Sequence, residues 1–115
     1  MKIAAATLAL ACCFSATARA YPPTDTFLRT YRTAKPQEQE TMRSVLQYTE
    51  EAYAWANADL QSRHLPALYC SPNIVLSGEL LFGLIVQLVQ DKPGLGAMPF
   101  GIVLLLALKK EFPCP

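Results

Sequence analysis

The chain has one histidine, one tryptophan and five glycines among 115 residues, and only 17% of it is charged. With His64 as the sole imidazole, no histidine-based metal set can form, and the four cysteines show no paired ligand spacing. No serine or cysteine stands in a recognisable nucleophile motif, and no glycine-rich phosphate loop follows a strand. Gly94-Leu95-Gly96 reads as a turn, not a dinucleotide fingerprint. Glu50 and Glu51 are sequence neighbours on a solvated helix face, a poor acid/base pair. The expectation is therefore a non-enzyme, with no catalytic, cofactor-binding or metal-binding residues. Charge of one sign is missing too. Ten Lys and Arg face nine Asp and Glu with no basic cluster, which argues against nucleic acid. The apolar stretches 74–90 and 100–108 are short, and the first is broken by Glu79 and Gln87. A bilayer span needs about 20 apolar residues, so no membrane hairpin is expected.

What is present begins with an export leader. Met1-Lys2 is followed by a small-and-apolar run to Phe14, and Ala18-Arg19-Ala20 offers small residues where a signal peptidase reads. Residues 1–20 are read as a signal peptide cut between Ala20 and Tyr21, with Ala18 as the second choice. Lipidation at Cys12, after Ala9-Leu10-Ala11, is the alternative. The remaining domain, 21–115, is expected in the periplasm. Cys12 and Cys13 leave with the leader, so Cys70 and Cys114 are the two cysteines that remain. A lone pair in an exported chain is expected to form a disulfide. A chain this small gains much from such a staple.

The domain reads as all-α, a small bundle of about four helices. Pro22-Pro23 is an extended lead-in, with Thr24 or Asp25 as cap for a short helix whose Phe27, Leu28 and Tyr31 share a side. Pro36 restarts the chain, and Glu38 and Glu40 suit a helix N-terminus. From Gln37 to about Ser62 one seam of Met42, Val45, Leu46, Thr49, Ala52, Tyr53, Ala56 and Leu60 recurs at helical spacing. A second seam of Tyr48, Ala52, Trp55 and Asp59 runs beside it, and both sets of aromatics are expected in the core. Arg63 to Pro72 is a connector. A third helix opens at Asn73 or Ser77 and reaches Gln90, polar only along Glu79, Gly83, Gln87 and Gln90. Apolar around most of its circumference, it needs cover on more than one side, and self-association is one source of that cover. A turn at Asp91-Lys92-Pro93-Gly94 leads to a last helix from near Pro99 to about Phe112, with Lys109 and Lys110 in its final turn.

Four phrases give the second half a family likeness. They are Leu68-Tyr69-Cys70-Ser71-Pro72, the apolar helix from Ser77, its stop at Gln90-Asp91-Lys92-Pro93, and Ala107-Leu108-Lys109-Lys110-Glu111-Phe112-Pro113-Cys114. In these the chain resembles the Rap/Tai family of small exported proteins, many associated with type VI secretion immunity. Two further family cysteines fall at Tyr31 and near Val45 in this sequence and are missing together. The resemblance then leaves Cys70 and Cys114 as the natural pair. It implies an all-helical periplasmic protein that blocks a secreted effector, in the best-known members a peptidoglycan amidase, and a family with dimeric members. It assigns no contact residue, so the partner-binding face is unknown at this point. A periplasmic chaperone resembling the HdeA type, or an envelope protein of another role, is the alternative function.

Overall fold

The structure, a computed structural model, describes residues 22–115. The expected leader, its expected cleavage between Ala20 and Tyr21, and Cys12 lie outside the described residues. Among the described residues the fold is all-α: α1 (Thr24–Thr33), α2 (Pro36–Ser62), α3 (Gly78–Asp91), a 3-10 turn (Pro93–Ala97) and α4 (Phe100–Glu111). No helix is long and apolar enough to cross a membrane.

The lead-in does more than end in a cap. Pro23 holds the N-cap position with no side-chain hydrogen bond. Neither Thr24 nor Asp25, the two expected caps, holds that position, and Thr24 is instead fully buried and works across the fold. Its backbone N–H and its hydroxyl both donate to the Met98 carbonyl at 2.8 Å, and Pro23 bridges antiparallel to Pro99. This clamp lays α1 beside the start of α4, where Phe27 stacks on Phe100 with ring centroids 4.6 Å apart. Tyr31 meets Phe82 of α3 at 4.0 Å. Its hydroxyl accepts a 2.8 Å bond from Arg43 of α2.

Pro36 opens α2 as expected, and the Glu38 carboxylate accepts the Lys35 N–H at 3.1 Å, covering a donor that a helix start leaves free. Along α2 the core takes less than the pattern offers. Leu46 is completely buried, while Val45 is 40% exposed, Tyr48 71% and Trp55 70%. The expectation that the second seam packs in the core is thus corrected: α3 and α4 cover α2 along the Leu46 side, and the Tyr48–Trp55 side faces out. Tyr53 of the first seam is half-buried and donates to the Gly101 carbonyl at 2.6 Å.

Ser77 caps α3, its hydroxyl accepting from the Leu80 N–H at 3.2 Å. Gly78 follows because α2 passes there: a Cβ at this position would collide with the Arg43 carbonyl and its backbone. With the helices in such close approach, α2 covers one side of α3 and α4 another. Leu81, Ile85 and Leu88 are buried, and Phe82, Leu84, Val86 and Val89 pack against the core. Only Leu80, at 39%, is a large apolar residue of α3 left open. Most of the cover this helix needs thus comes from within the chain, and large exposed apolar residues lie on α2, on the connector and on α4. Helix α4 contributes Phe100, Val103, Leu104, Ala107 and Leu108 to the core. Lys110 pairs with Asp91 at 3.0 Å, both half-exposed.

Candidate docking site

The connector between α2 and α3 is the longest stretch without helix in the domain, and three devices hold it. The first is the disulfide: Cys70 and Cys114 are bonded, with Cα atoms 4.9 Å apart, and the Cys70 N–H donates to the Phe112 carbonyl at 2.8 Å. The second is Asn57. It lies outside the apolar seams of α2, yet it is buried, and its amide grips the connector backbone with both ends. Nδ2 donates to the Tyr69 carbonyl at 3.1 Å and Oδ1 accepts the Leu68 N–H at 2.7 Å. The third is Tyr69, 1% exposed, whose hydroxyl donates to the Glu50 carboxylate at 2.8 Å. Burial, and then the carboxylate that accepts its proton and repels a phenolate, push the Tyr69 phenol well above its ordinary range. Glu50 is therefore a structural acceptor, and Glu51 beside it is exposed.

Beyond these anchors the chain rises to a tip at residues 73–75 and returns through Leu76, which is buried. At the tip Ile74 is 61% and Val75 87% exposed. Of the two helix starts expected, Asn73 and Ser77, the structure takes the second, so Ile74 and Val75 precede the helix, which begins at Gly78. Between the tip and the Gln47, Glu51 and Ala54 flank of α2 lies a shallow depression of about 330 Å³. Ile74 and Val75 thus form an exposed apolar knuckle at the edge of that depression, on a loop whose base is fixed by a disulfide, a buried amide and a helix cap.

Comparison of the chain with family models, curated proteins and solved structures finds no match. His64 sits exposed just after α2 in a left-handed backbone conformation (φ 56°). No group of His, Cys, Asp and Glu that could hold a metal occurs among the described residues. Gly94 and Gly96 lie in the 3-10 turn, where Gly96 packs against the Asp25 carboxylate at the start of α1.

A second opening lies on another face. Val45, Tyr48 and Tyr53 of α2 and Pro99, Phe100 and Ile102 at the start of α4 line an apolar groove of about 630 Å³. Trp55 stands one turn further along the same side of α2.

Proposed function

We propose that this protein is an exported, non-enzymatic binding protein of the immunity type. It neutralises a cell-wall-degrading effector, of the peptidoglycan amidase class, by seating its Ile74–Val75 knuckle in the effector's cleft. The observation that supports this reading is the exposed apolar pair on a loop whose two ends are fixed. A tip already held in shape loses little freedom on docking, so more of its apolar burial appears as affinity. Substrate clefts are concave and largely apolar, the complement of such a knuckle. The leader and the Rap/Tai phrases point to the same compartment and the same kind of partner.

The test is to mix the oxidised protein, residues 21–115, with secreted peptidoglycan amidases, any encoded beside it first, and measure both complex formation and cell-wall hydrolysis. A complex that silences hydrolysis is expected, with Val75→Asp weakening it about 30-fold or more, the scale of a buried hot-spot contact, at unchanged folding stability. Absence of any complex at micromolar concentration refutes the proposal. Protection of client proteins from acid aggregation in its place favours the HdeA-type alternative.

A further inference from the structure

The two halves of the connector differ in how their backbone is used. Arg63, His64 and Leu65 donate their N–H groups to carbonyls in the last turn of α2, Leu68 donates to Asn57 and Cys70 to Phe112. From Ser71 to Leu76, among the described residues, no backbone N–H or C=O has a hydrogen-bond partner within the chain. The joins before α2 and before α4 are bonded: Ala34 donates to Tyr31, Lys35 to Glu38, Leu95 to Lys92 and Met98 to Leu95. A free backbone with exposed side chains is what an endopeptidase must grasp, because its cleft pairs with the main chain it cuts. Elsewhere in a folded domain that grasp waits on local unfolding.

We propose that the Ile74–Val75 peptide bond is a processing site for an endopeptidase that reads aliphatic side chains, and that the cut leaves a two-chain protein held by Cys70–Cys114. The position follows from the flanks. Pro72 makes the bond before it a poor substrate, and buried Leu76 and the Ser77 cap hold the far side. Between them Val75 is the most exposed large apolar residue of the domain. Hydrolysis adds one water: its hydroxyl goes to the Ile74 carbonyl carbon, which becomes a carboxylate, and the Val75 nitrogen takes the hydrogens and becomes a new amino terminus. No oxidant or reductant takes part.

The cut falls inside the loop that the sulfur bond closes. Cys70 stays with α1 and α2, Cys114 with α3 and α4. Contacts between the two pieces are untouched: Thr24 with Met98, Phe27 on Phe100 and Tyr53 with Gly101. The body therefore stands while the knuckle opens. On the effector-binding reading, which this consequence alone rests on, docking must then order two loose ends, and affinity falls. Disassembly needs a second event. A dithiol must reduce the bond, becoming a disulfide itself while Cys70 and Cys114 return to thiols. Reduction alone leaves one continuous chain, and the cut alone leaves one sulfur link.

The probe is the zinc endopeptidase thermolysin, which cuts before aliphatic residues, acting on the oxidised protein, residues 21–115. One cut before Val75 should yield a product heavier by a single water, one species without reductant and two fragments with it. Helix ellipticity of the oxidised product should be retained and independent of dilution. After reduction it should fall on dilution, since the link no longer holds the pieces at an effective concentration of about millimolar. Val75→Asp should slow the cut about tenfold or more, the loss of one aliphatic side chain from the cleft, and Val75→Pro should abolish it at unchanged ellipticity. Three results overturn the inference: no cut where the urea-unfolded chain is digested, a first cut elsewhere, or an oxidised product that loses its helices. The cut protein is then mixed with the amidase that binds the intact one. Lost binding completes the proposal, whereas retained binding leaves the cleavage site standing and refutes the knuckle as the docking element.

Discussion

Replacing both cysteines, Cys70→Ser with Cys114→Ser, should lower the unfolding free energy by about 4 kcal/mol. The bond links positions 44 apart in sequence, enclosing α3, the 3-10 turn and α4. In the chain-entropy treatment, closing a loop of that length removes about 4 kcal/mol of freedom from the unfolded chain. The folded side of the balance changes little on replacement. The Cys70 N–H bond to the Phe112 carbonyl, the burial of Leu108 and the Lys110–Asp91 pair do not depend on sulfur. The loss should therefore appear almost wholly as gained freedom of the unfolded chain. With a urea slope near 1.5 kcal/mol/M for a small domain, the midpoint falls by roughly 2–3 M. The slope itself should rise, because an unlinked unfolded chain exposes more surface. Against a total stability of about 5–15 kcal/mol, the variant keeps about 1–11 kcal/mol, and at the lower end of that range it sits close to unfolding. Urea titrations of the oxidised protein and the double-serine variant, followed by helix ellipticity, make the comparison. A difference below about 1 kcal/mol, or two titratable thiols at Cys70 and Cys114 in the oxidised folded protein, would refute the reasoning.

Three further outcomes follow from single contacts. Asn57→Ala removes both bonds to the connector and leaves the buried Tyr69 carbonyl without its partner; a loss of about 2–4 kcal/mol in urea unfolding is expected. Asn57→Asp should recover little of it, since a carboxylate cannot donate to that carbonyl. Gly78→Ala pushes a methyl into the Arg43 backbone and should cost about 1–3 kcal/mol by the same titration, as overpacking does, whereas Gly83→Ala, with open space around it, should stabilise. Tyr69 has its phenol pKa raised by folding, so its contribution is fully present below the unfolded value near 10 and declines as pH rises past it. Thermal midpoints measured across pH 8–11 should fall at the alkaline end. Tyr69→Phe should flatten that limb while losing about 1 kcal/mol at neutral pH, and an equally steep alkaline limb in the variant would contradict this.

Helix positions were legible because the punctuation is strong. Pro36, Ser77 and Pro99 open three of the four helices within a residue of an expected start, and the two cysteines among the described residues allow one bond. What was not legible has one cause in each case. Tyr48 and Trp55 lie at helical spacing as regularly as Leu46 does, and periodicity does not say which of two adjacent seams the neighbouring helices will cover. Asn57 looks solvated by type; only the path of a connector not yet folded shows that its amide meets two backbone groups. Thr24 looked like a cap because Ser, Thr and Asp before a helix usually are. Its acceptor, however, lies 74 residues away, beyond any local pattern. The tip at Ile74 and Val75 was absorbed into the apolar run that follows it, since hydropathy alone does not separate a loop from the helix it precedes.

The tie between Thr24 and Met98 sets a timetable. A polypeptide appears from its N-terminus onward, and the acceptor that fixes the first helix is among the last groups to emerge, shortly before the sulfur that locks the connector. Until then Thr24 lacks its acceptor and Phe27 its stacking partner Phe100, so no shorter product can assume the finished shape. The body closes in one late event once its end arrives, and any truncation that stops before Phe100 should yield a chain that remains open from its start.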